Sequence, residues 1–316
     1  GAVVYYQATG KDPLLKAAMK YADCVAAVIG PEEGKIHGYP GHEVAEMALV
    51  RLYELTKEEK YLKLAKYFID QRGQSPLFFD EERKRYHNLF KWEDSAFQYD
   101  YYQAGKPVRE QTVARGHAVR AMYLYSGMAD VARLTGDDSL KKACETLWNS
   151  TVNRQMYIIG SIGSSEYGEA FTYEYDLPND TAYTETCAAI GLAFFARRML
   201  EMEPKGCYAD AMERALFNGI ISGVSLDGTR FFYVNPLEVE PRLKDKEYEK
   251  HRLAYEREKW LVCACCPPNL ARLTASIGNY AYSVGTDTFY SHLYLGGEAQ
   301  AQLDGKAVKV CTQSNY

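Results

Sequence analysis

The stretch TGKDPLLKA at residues 9–17 decides the fold class, because the chain uses the same pattern twice more. TKEEKYLKL occupies residues 56–64, and TGDDSLKKA occupies residues 135–143. Each is a short polar turn followed by apolar residues at helical spacing, and each has another amphipathic segment before it. This arrangement predicts αα-hairpins that recur at irregular intervals.

The flanking segments extend this pattern into a predicted fold. Residues 2–6 are predicted to be the last turns of a helix, and further helices are predicted over residues 43–55 and 118–134. Stacked hairpins form a solenoid or close into a toroid, where the inner helices are buried on all sides. The Ala-rich segment 188–196 suits such an inner helix. We therefore predict a mainly α protein with an α/α toroid.

Beyond Gly285 the hydrophobic period changes from that of a helix to that of a strand. FYSHLYL at residues 289–295 and AVKV at residues 307–310 alternate in polarity, with an Asp304-Gly305 turn between them. Alternation with a turn signal is typical of antiparallel strands. A β-domain is predicted to begin there.

Composition narrows the functional class. The chain has 316 residues, of which 47% are hydrophobic, so it can bury a large core. Its net charge of -5 is mild and scattered, which favours neither nucleic-acid binding nor an anionic membrane surface. No apolar run approaches the roughly 18 residues of a membrane helix, and the first residues lack a signal-peptide pattern. Clustered thiols fit a reducing compartment, so a cytoplasmic location is expected.

The sulfur-rich stretch CACCPPN at residues 263–269 indicates the chemistry. Adjacent cysteines such as Cys265 and Cys266 rarely form a disulfide with each other, because the bond strains the backbone between neighbours. They can, however, both bind one soft metal ion. The two prolines that follow remove backbone donors and favour a rigid corner. A tetrahedral Zn²⁺ would require two further ligands from elsewhere in the chain.

Glu185 and Cys187, in TETC at residues 184–187, are the best candidates for those ligands. Residues two apart point to the same side of an extended segment but to different sides of a helix. We therefore expect the chain to be extended here and the helix to begin near Ala188. The competing interpretation, in which cysteine is a small core residue, is preferred for Cys24, Cys144, Cys207 and Cys311. For Cys265 and Cys266 we favour metal binding.

Several motifs together closely resemble glycoside hydrolase family 127, the β-L-arabinofuranosidases. They span nearly the whole chain in the family's order, and family 146 is an alternative with the same fold and metal ligands. The motifs are KIHG at 35–38, GHAVR at 116–120, GEAFT at 168–172, LPND at 177–180, ETCA at 185–188 and CACCPPN at 263–269.

The resemblance implies an (α/α)6 barrel followed by β-sandwich domains. On that basis, residues 1–284 would be a partial barrel lacking its N-terminal helices, and residues 285–316 the truncated beginning of a β-sandwich. It also implies a zinc ion held by Glu185, Cys187, Cys265 and Cys266.

The resemblance further implies a retaining mechanism with Cys265 as nucleophile and Glu169 as general acid/base. His42, His117 and Tyr233 lie where the family contacts the sugar. A thiolate would here replace the second carboxylate of an ordinary retaining glycosidase, and metal coordination would deprotonate it at neutral pH. The role of Cys263 is left open.

The implied substrates are β-L-arabinofuranosides of plant glycans or glycoproteins, from which an exo-acting enzyme would release L-arabinofuranose. A small carbohydrate is therefore the expected partner, and a homodimer is compatible with this interpretation. A noncatalytic carbohydrate-binding or scaffold protein is the alternative, because closed four-ligand zinc sites are usually structural. A sugar epimerase or lyase would instead rely on histidine pairs and would not need adjacent cysteines.

Overall fold

The computed structural model describes residues 1–86, 96–243, 254, 256–261 and 263–314. The chain divides into two compact units. Unit 1 comprises Gly1–Gln155 and Gly163–Asp176, and unit 2 comprises Met156–Ile162 and Leu177–Tyr316. Within the described residues, no helix is both long enough and apolar enough to cross a membrane.

Unit 1 is built from helical hairpins and one short ladder. Its helices are α1 (Ala2–Thr9), α2 (Pro13–Val28), α3 (Ala45–Thr56), α4 (Glu59–Gln71), α5 (Phe78–Arg85), α6 (Ala96–Tyr101), α7 (Ala118–Thr135) and α8 (Asp138–Arg154). Strands β1 (Gly116–His117) and β2 (Ala170–Phe171) pair antiparallel, with His117 opposite Ala170.

The three repeated turns join consecutive helices, as the sequence predicts. Gly10 and Gly136 end α1 and α7 in the left-handed conformation, and Lys57 does the same after α3. Asp137 caps α8 by accepting a 3.0 Å hydrogen bond from the Leu140 N–H. Asp12 does not cap α2 in this way; its carboxylate lies 2.7 Å from Lys16 Nζ instead.

Unit 2 combines helices with short antiparallel sheets. Its helices are α9 (Thr186–Met202), α10 (Gly206–Arg214), α11 (Cys266–Thr274) and α12 (Gly278–Ala281), and a π-helical turn spans Ala215–Ile220. Strand β3 (Tyr282–Val284) pairs with β4 (Phe289–Ser291), and β5 (Gly297–Leu303) pairs with β6 (Lys306–Thr312). The β5–β6 register places Leu303 opposite Lys306, so the predicted Asp304-Gly305 turn is present.

The most thoroughly buried helices are the ones rich in small residues. Nearly every residue of α9, including the whole segment 188–196, is buried, as expected of an inner helix. Residues 118–119 and 121–132 of α7 are buried as well. Gly127 allows α7 to approach α3, because an added Cβ would come within 2.8 Å of Glu46 Cβ.

The predicted fold class is confirmed: the described residues are mainly helical, and apart from the two-residue strands β1 and β2 the strands lie near the carboxyl end. The expected division into a partial barrel at residues 1–284 and the beginning of a β-sandwich at residues 285–316 stays a prediction.

Candidate functional site

Glu185 and Cys187 meet at the beginning of α9, although the local structure differs from the predicted one. The helix begins at Thr186, two residues earlier than expected, so Cys187 lies in its first turn. Glu185 is the N-cap residue, with a non-helical backbone, and its side chain does not cap the helix but lies against Cys265 Sγ. Both side chains are buried, at 3% and 1% exposure. The two donors therefore converge because a helix start, rather than a strand, places them.

Cys265 and Cys266 lie at the beginning of another helix in unit 2. Cys265 is the N-cap of α11 and Cys266 its first residue, and both prolines of the motif lie in the first turn. Proline suits this position, because the first helical N–H groups have no intrahelical acceptor. Cys266 is fully buried, whereas Cys265 is partly exposed. Of the two sulfurs, Cys265 is thus the one that a ligand can reach.

The four side chains form one compact set of donors. Their ligand atoms all lie within 4.8 Å of one another. Cys187 Sγ is 3.5 Å from Cys266 Sγ, which is 3.7 Å from Cys265 Sγ, and Cys265 Sγ is 3.3 Å from Glu185 Oε1. A tetrahedral zinc ion with Zn–S bonds of about 2.3 Å has sulfur–sulfur edges of about 3.8 Å. The separations and the S₃O donor set therefore fit a tetrahedral soft metal ion.

Mutual hydrogen bonding divides the protons unequally among these sulfurs. Contacts with Cys187 and then Cys266 lower the pKa of Cys265 to about 2, and Tyr233 and Glu185 contribute to the same shift. Conversely, the contact with Cys265 raises the pKa of Cys187, with further contributions from Cys266 and burial. Cys265 is therefore the sulfur that most favours the thiolate form, which is the form that ligates metals and attacks electrophiles.

Asn269 is a member of the cluster that sequence reasoning did not assign. It lies on α11, three residues after Cys266, and donates from Nδ2 to Cys187 Sγ over 3.0 Å. Arg272, one turn further, donates to Asn269 Oδ1. The i, i+3 spacing within CPPNLAR was visible in the sequence and could have placed Asn269 on the same helix face as Cys266.

Tyr233 reaches the cluster from an irregular extended segment. Its carbonyl accepts a 2.9 Å hydrogen bond from the Thr186 N–H, and Glu185 forms a bridge with Val234. The Tyr233 hydroxyl lies 3.6 Å from Cys265 Sγ. Tyr233 therefore lies beside Cys265, while its role in contacting the sugar stays a prediction.

In unit 1, His117 and Glu169 contact each other directly. His117 Nε2 lies 2.9 Å from Glu169 Oε2, and the side chains are 10% and 23% exposed. The β1–β2 ladder produces this contact by pairing His117 with Ala170, the neighbour of Glu169. Gly116, which precedes His117, permits a close approach to a different part of the chain: its φ is +72°, and an added Cβ would lie 1.8 Å from the Asp100 carbonyl oxygen.

The backbone of Glu169 has an unusual conformation. Its φ is +50°, and it follows Gly168, whose φ is +69°. Thr184, immediately before Glu185, has a φ of +40°. Residues other than glycine adopt such angles at a cost of roughly 1–3 kcal/mol, and they concentrate at functional sites. One strained residue, Glu169, is therefore itself a residue assigned from the sequence, and the other, Thr184, directly precedes the assigned Glu185.

His42 lies beside a buried network of charges. Arg72 Nη1 is 2.9 Å from Glu43 Oε1, and both side chains are fully buried. Arg72 Nη2 is 3.6 Å from Glu46 Oε1, and Arg120 Nη1 is 3.6 Å from Glu43 Oε2. Although the His42 residue is exposed, partial desolvation of its ring and the charge of Arg120 lower its pKa to about 4. His42 is therefore a neutral ring at neutral pH.

Tyr101 and Arg120 join the two histidine regions of unit 1. The Tyr101 ring packs edge-on against His117 with 5.3 Å between centroids, and the Arg120 guanidinium lies 5.0 Å from the Tyr101 centroid. Tyr101 belongs to the long segment 73–108, which is rich in aromatic residues. In the same segment the rings of Phe79 and Tyr102 pack together, with 4.8 Å between their centroids. Residues 87–95 of this segment lie outside the described residues.

All eight site residues assigned from the sequence fall within described parts of the chain. Unit 1 holds His42, His117 and Glu169, and unit 2 holds Glu185, Cys187, Tyr233, Cys265 and Cys266. The prediction for the isolated cysteines was wrong in three of four cases, because only Cys144 is buried and Cys24, Cys207 and Cys311 are exposed. Cys263 is exposed as well, and its role stays open.

The chain has close relatives among characterised proteins. Residues 1–279 match the family described as the β-L-arabinofuranosidase GH127 catalytic domain. The non-reducing end β-L-arabinofuranosidase of Bifidobacterium longum subsp. longum is 48% identical over 302 residues, covering 95% of this chain and 46% of that protein.

Solved structures agree with the sequence comparison. A crystal structure described as a GH127 β-L-arabinofuranosidase from Geobacillus stearothermophilus T6 matches with a TM-score of 0.96 at 54% identity, covering 100% of this chain and 49% of that one. A GH127 β-arabinofuranosidase matches with a TM-score of 0.85 at 44% identity, covering 100% and 45%. The chain thus spans about half the length of these relatives.

Proposed function

The chain belongs to the GH127 β-L-arabinofuranosidase catalytic-domain family, and from this premise we propose that it acts as a retaining exo-glycosidase. The proposed reaction releases L-arabinofuranose from the β-L-arabinofuranosides of plant glycans or glycoproteins. The predicted family assignment is confirmed. The reaction and its substrates are proposed because the relatives that carry the activity are about twice as long.

The observation that carries the proposal is the cluster of Glu185, Cys187, Cys265 and Cys266, in which only Cys265 among the sulfurs is partly exposed. We propose that these four side chains hold a zinc ion. When bound, zinc would keep the thiols deprotonated at neutral pH. The S₃O donor set and its tetrahedral spacing support zinc over Mg²⁺ or Ca²⁺, which prefer oxygen ligands.

In the proposed mechanism, Cys265 is the nucleophile. Its sulfur forms a bond to the anomeric carbon while the bond from that carbon to the glycosidic oxygen breaks, and Glu169 gives its proton to the departing oxygen. In the second step Glu169 takes a proton from water, whose oxygen bonds to the anomeric carbon as the carbon–sulfur bond breaks. Two displacements of this kind retain the anomeric configuration.

The remaining assigned residues would bind the sugar. His42 is neutral because its pKa is lowered to about 4, so it can donate and accept hydrogen bonds to hydroxyl groups without carrying a charge. Tyr233 has its hydroxyl 3.6 Å from Cys265 Sγ, where it can contact a sugar bound at that sulfur. We therefore assign His42 and Tyr233 to hydrogen bonds with the substrate, whereas His117, whose two ring nitrogens already have hydrogen-bond partners, would contact it through its ring carbons. A cytoplasmic location and a homodimer stay predictions.

One observation favours the alternative of a noncatalytic carbohydrate-binding protein. The donor set already supplies four protein ligands, which is the composition of a structural zinc site rather than one with an open position. The two functions differ in their need for Cys265 as a nucleophile. Sugar binding should survive Cys265→Ser if the zinc is only structural, provided that the fold is retained.

Intact-protein mass spectrometry with an activated β-L-arabinofuranosyl inhibitor tests the proposal. We expect a sugar-sized adduct that maps to Cys265 and is absent in Cys265→Ala. Cys24→Ala is the matched control, because Cys24 is an exposed thiol outside the cluster and its loss should leave the adduct intact. A zinc-loaded protein that forms no adduct would overturn the catalytic proposal in favour of sugar binding.

A further inference from the structure

His117 makes two hydrogen bonds that together determine where its proton resides. It is the N-cap residue of α7, and its Nδ1 accepts a hydrogen bond from the Val119 N–H over 3.2 Å. Its other nitrogen, Nε2, lies 2.9 Å from Glu169 Oε2. A backbone N–H can only donate, so Nδ1 must present its lone pair. The neutral ring therefore carries its proton on Nε2 and donates it to Glu169 Oε2.

The hydrogen bond from His117 makes the two oxygens of the Glu169 carboxyl group inequivalent. When Glu169 is protonated, its carbonyl oxygen is a stronger acceptor than its hydroxyl oxygen, so the hydrogen bond from His117 to Oε2 favours the acidic proton on Oε1. We propose that His117 is a positioning residue that holds the catalytic proton of Glu169 on Oε1. The inference rests on the proposed function, in which Glu169 is the general acid/base, and adds which of its oxygens exchanges the proton.

The surroundings of His117 prevent the ring from reversing this arrangement. A 180° flip of the ring would exchange both nitrogens for carbons at these two contacts and lose both hydrogen bonds. The ring is nine-tenths buried, and Tyr101 packs against it edge-on at 5.3 Å. Its backbone is held by the pairing with Ala170 and by Gln103 Nε2, which donates to the His117 carbonyl over 3.3 Å.

Glu169 Oε1 exchanges the proton in both steps of the proposed reaction. In the first step the proton on Glu169 Oε1 passes to the glycosidic oxygen as the bond to the anomeric carbon breaks and the Cys265 carbon–sulfur bond forms. In the second step Oε1 takes a proton from the attacking water as the carbon–sulfur bond breaks. His117 keeps its Nε2 proton throughout, and its hydrogen bond to Oε2 stabilises the carboxylate between the two steps.

Two substitutions separate the contact with Glu169 from the helix cap. Asparagine is a good N-cap residue, so His117→Asn should keep the hydrogen bond from Val119 and the stability of α7, but its side chain is too short to reach Glu169. Glutamine places an amide nitrogen about as far from the backbone as Nε2, so His117→Gln restores a donor to Glu169. Thermal unfolding of both variants establishes that they are folded.

Leaving-group dependence then reports the position of the proton. A 4-nitrophenyl β-L-arabinofuranoside needs little proton transfer to its leaving group, whereas a methyl β-L-arabinofuranoside depends on it. We expect His117→Asn to lower kcat about 10²-fold or more for the methyl glycoside, but less than about 10-fold for the nitrophenyl glycoside. His117→Gln should recover about 10-fold of the kcat that His117→Asn loses on the methyl glycoside. Equal losses on both substrates, or no recovery in His117→Gln, would overturn the proposal.

NMR of the protein labelled with ¹⁵N-histidine tests the tautomer without any substrate. The chain has six histidines, and the His117 signals are identified by their absence from His117→Gln. We expect the Nε2–H tautomer at neutral pH, and an Nδ1–H tautomer would refute the inference. If the proposed function were wrong, the wild-type protein would hydrolyse neither glycoside. That outcome can be told apart from a wrong tautomer, because the NMR measurement needs no substrate.

Discussion

Asn269 Nδ2 lies 3.0 Å from Cys187 Sγ, so a side chain of α11 donates a hydrogen bond to a sulfur of α9. Arg272 donates to the oxygen of the same amide, which orients the amide with its nitrogen towards the sulfur. A thiolate that ligates a metal retains negative charge, which such a donor can stabilise. Residues that hydrogen-bond to metal ligands therefore contribute to the affinity for the metal.

Asn269→Ala should therefore weaken zinc retention by about 10- to 100-fold while leaving the four donors in place. Competition with a chromogenic chelator measures this change directly and does not depend on activity. Ser276→Ala is the matched control on the same segment, since its hydroxyl bonds only to backbone carbonyls of α11. Unchanged zinc affinity in Asn269→Ala would show that the amide does not support the cluster.

Cys187→Ser should abolish zinc binding, because the proposed tetrahedral site would lose one of its thiolates. Elemental analysis of the purified protein should give about one equivalent of zinc for the wild type and much less for the variant. Cys144→Ser is the control, since Cys144 is also a buried thiol but lies outside the cluster. A chelator should lower the Tm of the wild type and of Cys144→Ser, but not that of Cys187→Ser. Equal zinc contents in all three proteins would contradict the assignment of Cys187 as a zinc ligand.

Within the buried ion network of unit 1, removing the cation should cost much more stability than neutralising one of the carboxyl groups. Arg72→Met should cost about 3–5 kcal/mol of folding free energy, because it removes the nearest cation from the buried carboxyl group of Glu43 and leaves only Arg120, at 3.6 Å. Glu46→Gln should change stability by less than about 1 kcal/mol, since burial raises the pKa of Glu46 and its contact with Arg72 is 3.6 Å long. Urea unfolding measures both, and a Glu46→Gln variant as unstable as Arg72→Met would show that Glu46 is the ionised partner.

Glu43 should make the stability depend on pH. Burial, opposed in part by Arg72, raises its pKa from 4.5 to about 7. Between these values the folded chain binds a proton that the unfolded chain has released, so stability falls as pH rises. The contribution is complete at low pH and is lost as pH rises through about 7.

Unfolding free energies at pH 5, 6, 7 and 8, compared between the wild type and Glu43→Gln, isolate this contribution. The wild-type value minus the variant value should decrease with rising pH. A difference that stayed constant or increased would mean that Glu43 keeps its ordinary pKa in the folded protein.

Gly116→Ala should be far more destabilising than Gly136→Ala, although both glycines have similar left-handed backbone angles, with φ of +72° and +67°. Alanine at residue 136 would meet no atom within 4 Å, so only the backbone conformation is penalised, by about 1–2 kcal/mol. At residue 116 the added Cβ would lie 1.8 Å from the Asp100 carbonyl oxygen, which adds about 1–3 kcal/mol or more. Equal losses of Tm in the two variants would contradict this close approach.

The sequence by itself determined the helical hairpins and the kind of chemistry. Helical periodicity and turn signals are short-range properties, so the hairpin around Gly136 and the β5–β6 turn were predicted correctly. Two thiols side by side at Cys265 and Cys266, with Glu185 and Cys187 elsewhere, indicated a soft-metal site, because few other uses suit that combination. Their roles in catalysis came from family resemblance and not from spacing.

Only the tertiary structure decided which atoms meet. The contact of Asn269 with Cys187 spans 82 positions of the chain, and that of His117 with Glu169 spans 52. Such pairs depend on helix packing and on a two-residue ladder, which no local pattern encodes. The same reason explains the early start of α9 at Thr186. Thr186 donates from its backbone N–H to the Tyr233 carbonyl and from its hydroxyl to the Phe232 carbonyl, and these acceptors lie nearly 50 positions away in the chain.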